Sequence, residues 1–159
     1  MGAHLGVDIG GVIIQRTDDS DDTSFWGDNY LATPAVPGAF DALRRLVEGK
    51  FGDDVFIVSK SGEYTERRAR DWLEHHAFFD RSGVPPDNVV FCRRREEKAG
   101  IARALGLTHF VDDRLDILVS LEEVTHRYLF GPGDTEPPIG IQRVDTWDDA
   151  AAAIFVDGA

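Results

Sequence analysis

A chain of 159 residues that is 42% hydrophobic suits one compact domain, since domains commonly run about 100 to 150 residues, and it leaves no room for a second, substrate-binding domain. A formal net charge of −12 sets the surface against nucleic acid and anionic membrane, whose phosphates it repels. The single cysteine, Cys92, excludes an intramolecular disulfide. With no leader-like N-terminus and no apolar stretch near the roughly 20 residues of a bilayer span, the expected location is cytoplasmic and reducing.

In chain order, the first element is a short apolar run, Leu5 to Ile9, interrupted by Asp8 and followed by Gly10 and Gly11. Residues 14 to 36 break the pattern with the acidic tract Asp18 to Asp22 and the aromatics Phe25, Trp26 and Tyr30. That tract reads as a solvated loop, because its spacing lacks the alternating oxygen ligands and closing glutamate of a calcium loop. Pro37 and Gly38 then open a helix, AFDALRRLVEG, with Phe40, Leu43, Leu46 and Val47 on one face and Gly49 as its stop.

A second strand covers Val55 to Ser59, and EYTERRARDWLEHHAF follows as a helix whose stripe holds Tyr64, Ala69, Trp72, Leu73 and His76. His75 and His76 read as surface and packing residues of that helix. After the turn RSGVPPDN come a strand, Val89 to Cys92, and a helix, EEKAGIARALG, that places Ile101, Ala104 and Leu105 together and ends at Gly106. Cys92 reads as a packing residue. Strands at His109 to Val111 and Arg127 to Phe130 precede a last helix, TWDDAAAAIFV, with Thr146 as N-cap and Asp149 as its capping partner. Strand and helix in alternation specify an α/β fold: a Rossmann-like, doubly wound parallel sheet of about five strands with helices on both faces.

Ligand sites in such sheets lie at the carboxyl ends of the strands, which directs attention to the polar residues there. The first strand delivers Asp8, Gly10 and Gly11. The second delivers Ser59, Lys60, Ser61 and Gly62. Lys98 opens the third long helix, and Asp112, Asp113 and Asp116 follow the fourth strand. Carboxylates gathered on one rim repel one another unless a cation lies between them, and an all-oxygen set suits a hard ion such as Mg2+. A hydroxyl and an ammonium beside them suit a phosphoryl group. The composite reads as a magnesium-dependent phosphoryl-transfer site with Asp8 as nucleophile. Taken one at a time, these residues have plainer readings: Asp8 as a turn cap, Ser59 as a turn residue, Lys98 as a solvated lysine, Asp112 or Asp113 as a helix N-cap. The run Arg93, Arg94, Arg95 after the third strand reads either as a solvated cluster or as a clamp for a substrate phosphate or carboxylate.

The order of the four segments GVDIGGVII, FIVSKSG, the lysine of REEKAG, and FVDDRLDIL resembles the haloacid dehalogenase-like superfamily, over residues 5 to 118. The resemblance implies a capless phosphohydrolase. In it Asp8 would be nucleophile and metal ligand, the Gly10 carbonyl a second ligand, Ser59 a phosphoryl-binding hydroxyl and Lys98 a charge-neutralising ammonium. Asp112 or Asp113 would complete the metal site, and Asp116 would support it. Gly10, Gly11, Lys60, Ser61, Arg93 and Arg94 would line the substrate side.

The departure from the family pattern is Gly10, where phosphatases of the family usually carry a second aspartate that protonates the leaving group. General acid catalysis contributes about 10² to 10⁴ in rate, so the absence weighs most on alkyl phosphates. It motivates an alternative: a catalytically weak or inactive module that binds a phosphorylated ligand or a protein partner. Two rival folds fit less well. A sugar-kinase or actin-like ATPase needs two domains and a second phosphate loop, and a receiver domain places its acidic pair before the phosphorylated aspartate. Neither interval between motifs holds a folded cap, so the chain is expected to be one domain, 1–159. Its substrate would be a macromolecular phosphorylated end, or a small phosphoester beneath a lid formed by residues 14 to 36.

Overall fold

The computed structural model of the chain describes residues 2–16 and 28–158. The acidic tract Asp18 to Asp22, Phe25 and Trp26 lie outside the described residues, and with them the middle of the expected lid, 17–27. Six strands form one sheet: β1 (Leu5–Val7), β2 (Val55–Lys60), β3 (Val89–Cys92), β4 (His109–Asp112), β5 (His126–Phe130) and β6 (Ile141–Val144). Their order is β3-β2-β1-β4-β5-β6, and every pair is parallel. The sixth strand goes beyond the expectation of about five. Only its first and last residues are buried, while Gln142 is exposed, so this edge strand shows no continuous apolar run.

The helices are α1 (Ala39–Leu46), α2 (Glu63–His75), α3 (Phe78–Ser82), α4 (Glu97–Leu105), α5 (Leu115–Ser120) and α6 (Trp147–Val156). Alternation along the strands divides the interior into two cores. Ile57, Val111 and Tyr128 point to one, with Leu43, Leu46, Trp72 and Trp147 from α1, α2 and α6. Val58, Phe110 and Leu129 point to the other, with Ala102, Ile117 and Leu118 from α4 and α5. Gly6 is required on this second face: a Cβ there would come within 2.6 Å of Leu107 and Phe110. Among the described residues no helix is long and apolar enough to cross a membrane.

Three local expectations change. Gly49 does not stop α1; the chain continues through a π turn, Val47–Phe51, and reverses at Gly52, whose φ is +58. Tyr64 is 55% exposed, because the buried side of α2 begins only at Ala69. Ala104 is exposed too, and Lys98 and Ala102 are the buried residues of α4. The lysine's alkyl stem thus occupies a core-facing position that an apolar residue would ordinarily fill. Thr146 caps α6 as expected, its Oγ1 accepting from the Asp149 N–H at 3.1 Å.

Two tryptophans fix the loop that follows β1. Trp147 Nε1 donates to the Val12 carbonyl at 2.7 Å and Trp72 Nε1 to the Thr33 carbonyl at 2.9 Å. His76 stacks on Trp72 and meets the Leu31 carbonyl at 2.7 Å, a packing role.

Candidate active site

Strands β1 and β4 are neighbours at the point where the chain reverses its direction of travel across the sheet, the position where open α/β sheets bind ligands. Their register, Val7 against Val111, brings Asp8 beside Asp112. The Asp8 N–H donates to the Val111 carbonyl at 3.0 Å, so the backbone carrying the first carboxylate is tied to the strand that carries the second. The strand was expected to run to Ile9; it ends at Val7, and Asp8 opens the turn that follows.

Lys98 lies between the two carboxylates. Its Nζ donates to Asp8 Oδ1 at 3.1 Å and to Asp112 Oδ2 at 2.9 Å, with the lysine side chain 2% exposed. The side chain of Asp112 is fully buried, and its other oxygen accepts from the Arg114 N–H at 3.0 Å. Asp113 lies nearer solvent. Its Oδ2 accepts from Arg16 Nε at 2.8 Å, while Oδ1 is buried without a partner among the described residues. Asp8, Asp112 and Asp113 each offer an oxygen within 4.8 Å of the others.

Three carboxylates against Lys98 and Arg16 leave a formal charge of −1. Burial, then repulsion from Asp8, pushes Asp112 up to about 8 against the pull of Lys98. Burial likewise raises Asp8, with Lys98 opposing and Asp113 reinforcing the shift. Burial alone would lower Lys98, but the two carboxylates hold it above its ordinary value. Buried carboxylates whose affinity for a proton is raised beside two cations are short of positive charge, and the orphaned Oδ1 of Asp113 is an open ligand position. The donor set therefore fits a hard divalent ion such as Mg2+.

A cavity of about 510 Å3 opens over this floor. Asp8, Gly10, Ser59, Lys60, Ser61 and Lys98 line it, as does Arg95. Ser59 and Ser61 are both buried, and Ser61 Oγ has no partner among the described residues. Gly11 is not a lining residue. Its φ is +78, and a Cβ there would fall on the Asp113 carboxylate, so glycine at 11 makes room for the acid.

The arginine run is divided. Arg93 Nη1 donates to the Ser61 carbonyl at 3.1 Å and to Glu66 Oε1 at 2.8 Å, which turns it away from the cavity; neither Arg93 nor Arg94 lines it. Glu97 Oε1 accepts from both their N–H groups, winding the loop so that Lys98 enters the first turn of α4. Asp116 takes no part in the carboxylate cluster and pairs instead with Arg95 and Arg114.

Arg16 and Arg114, both of which line the cavity, are residues that sequence reasoning missed; Arg16 bears directly on the floor. Besides Asp113 it reaches the Gly10 carbonyl, at 3.5 Å, and a Cβ on Gly10 would meet its guanidinium at 3.5 Å. The cation stands where an aspartate at position 10 would project. The adjacent glycines were the available signal: a paired absence of side chains invites a group from elsewhere.

No protein-family model matches this chain, and no curated protein does. Among solved structures it is similar to a haloacid dehalogenase-like family hydrolase from Xanthomonas campestris, with a TM-score of 0.67 at 10% identity, covering 97% of this chain and 95% of that one. At that identity the likeness concerns the fold, which this chain shares over nearly its whole length.

Proposed function

We propose that this chain, with its haloacid dehalogenase-like fold, is a magnesium-dependent phosphohydrolase that cleaves phosphomonoesters through an aspartyl-phosphate on Asp8. The observation that carries the reading is the buried Asp8–Lys98–Asp112 arrangement beside the open oxygen of Asp113. Magnesium, when bound, supplies the positive charge that offsets the carboxylates and the phosphoryl oxygens. Asp8, Asp113 and the Gly10 carbonyl are the groups that would hold it. Asp112, both of whose oxygens are engaged, positions Lys98. Arg16 must then release Asp113 and Gly10, and its side chain, 59% exposed, has solvent to move into.

A carboxylate oxygen of Asp8 attacks phosphorus as the ester P–O bond breaks. Lys98 holds the attacking carboxylate in place and, with Ser59, receives the phosphoryl oxygens. The departing oxygen takes its proton from water, since Gly10 has none to give. A second water then attacks phosphorus, its proton neutralising the hydroxide left by the first, so that phosphate leaves and the Asp8 carboxylate is regenerated. On this reading the chain works as a single capless unit in the cytoplasm on a phosphorylated substrate, without nucleic acid or membrane.

Phosphate release from a phosphoester panel, with Mg2+ or with chelator, compares the native chain with Asp8→Asn. Release that needs both the metal and Asp8 is the expected result. The placement of Arg16 over Gly10 favours one second reading, a module that binds phosphorylated ligands without turning them over. Tight Mg2+-dependent phosphate binding with no release across the panel would establish that alternative and overturn the first.

A further inference from the structure

The cavity holds more cationic and polar groups than one phosphoryl group uses. Asp8, Ser59 and Lys98 make the floor, and Arg16 is engaged by Asp113 and Gly10. Three lining cations remain: Lys60 at the end of β2 and a pair, Arg95 from the loop after β3 and Arg114 from the loop after β4. Asp116 joins the pair: Arg95 Nη1 lies 2.8 Å from its Oδ2 and Arg114 Nε 3.5 Å from its Oδ1. Asp116 does not line the cavity, so one carboxylate outside it pairs two guanidinium groups at its edge.

Each guanidinium has five N–H donors, and Asp116 engages only one nitrogen of each. The trio carries a formal charge of +1 on a protein of −12, a local reversal that draws anions in. A second observation in the same cavity also points to a ligand. Ser61 is 8% exposed and its Oγ has no partner, which is costly for a buried hydroxyl unless something completes it. Between the polar groups the lining is apolar, from Ile14, Phe91 and Ile117. The volume of about 510 Å3 lies within the range of small-ligand sites, roughly 300 to 1,000 Å3.

We propose that the cavity takes a small phosphomonoester bearing a second anionic group, a carboxylate or a phosphate, which Arg95 and Arg114 hold while the reacting phosphoryl group lies at Asp8. The assignment rests on the phosphohydrolase reading for the position of the first phosphoryl group. Arginine forks grip such anions in two-point fashion, and the apolar lining covers the body that joins the two groups. Selectivity resides in the distance between the charges.

The test uses phosphonates, whose P–C bond is not hydrolysed, so that binding is read apart from turnover. Calorimetric titration of the native protein with Mg2+ compares carboxyalkylphosphonates of increasing chain length with their methyl esters, and bisphosphonates of the same lengths identify the second anion. At one length the acid should bind about tenfold tighter than its ester, the scale of one charge-assisted hydrogen-bonded contact at a half-exposed site. Arg95→Gln and Arg114→Gln should each abolish that preference and leave ester affinity within about twofold. Arg103→Gln, whose partner is Glu123 on the outer side of α4, should retain it. Equal binding of acid and ester at every length, a preference that survives both glutamine variants, or no binding by any probe would overturn the proposal. Preference without phosphate release from any ester upholds this subsite and removes the phosphohydrolase; release without preference does the reverse.

Discussion

Installing an aspartate at position 10 isolates the consequence of Arg16. Gly10 is not one of the positive-φ glycines, and its Cβ would come no closer than 3.5 Å to Arg16 Nη2, so the substitution fits without backbone strain. The new carboxyl group would offer Arg16, released from Asp113 and the Gly10 carbonyl when Mg2+ binds, a replacement ion-pair partner within its reach. An arginine at such range lowers a carboxyl pKa by about 1 to 3 units. The pairing thus depletes the protonated form about ten- to thousandfold relative to an unpaired carboxyl. Most of the roughly 10² to 10⁴ available from a general acid is thereby forfeited. We expect Gly10→Asp alone to raise kcat/KM on an alkyl phosphate by less than about tenfold. Combined with Arg16→Ala, it should gain about 10²-fold or more over Arg16→Ala. An aryl phosphate, whose leaving group needs little protonation, should respond weakly in all four proteins of the cycle at saturating Mg2+. A full gain from Gly10→Asp with Arg16 present, or none without it, would refute the reasoning.

Three further outcomes follow from the same geometry. Lys98→Met leaves Asp8 and Asp112 buried without their shared cation and should cost about 3 to 5 kcal/mol in urea unfolding at neutral pH; a loss under about 1 kcal/mol would mean that the two acids neutralise themselves cheaply. Gly11→Ala meets a positive φ and the Asp113 carboxylate together, so it should cost about 1 to 3 kcal/mol and weaken Mg2+ binding measured by titration, whereas unchanged metal affinity would separate Asp113 from the ion. Burial holds the His109 imidazole below its ordinary value of 6.5, so the unfolded chain takes up that proton more readily than the folded one. Stability present above pH 6.5 should therefore decline as the pH falls below it, and urea midpoints from pH 7.5 to 5 should flatten in His109→Asn.

The sequence revealed the floor of the site more fully than its mouth, for a physical reason. Asp8, Ser59 and the Asp112–Asp113 pair end apolar runs, and strand termini converge by the topology itself, so their meeting needed no knowledge of side-chain contacts. Lys98 was legible as the opening of a helix, but its burial was not, because a core-facing lysine breaks the helical apolar pattern. Arg16 meets Asp113 across 97 positions, and nothing local announces such a pairing. In the run Arg93 to Arg95, the first side chain is turned away by Glu66 and the Ser61 carbonyl, while Glu97 holds the loop through the backbone N–H groups of Arg93 and Arg94, and neither contact is announced by the local sequence. The edge strand β6 escaped notice because only Ile141 and Val144 carry its pattern, and α3 and α5 because five or six residues show too little periodicity to read.

The hydrogen bond from the Asp8 amide to the Val111 carbonyl sets how this molecule can vary. It makes the backbone spacing beneath Asp8 and Asp112 a property of strand pairing, which rearrangement of the surrounding loops does not adjust. Arg95, Arg114 and Arg16 are held by side-chain ion pairs at half-exposed positions, where each exchange of partner costs little. The two regions are thus separable under mutation: the mouth can be rewritten residue by residue for new ligands while the carboxylates keep their interval. Conversely, a change in β1 or β4 that disturbs their register reaches the floor at once, however far from the cavity it is made.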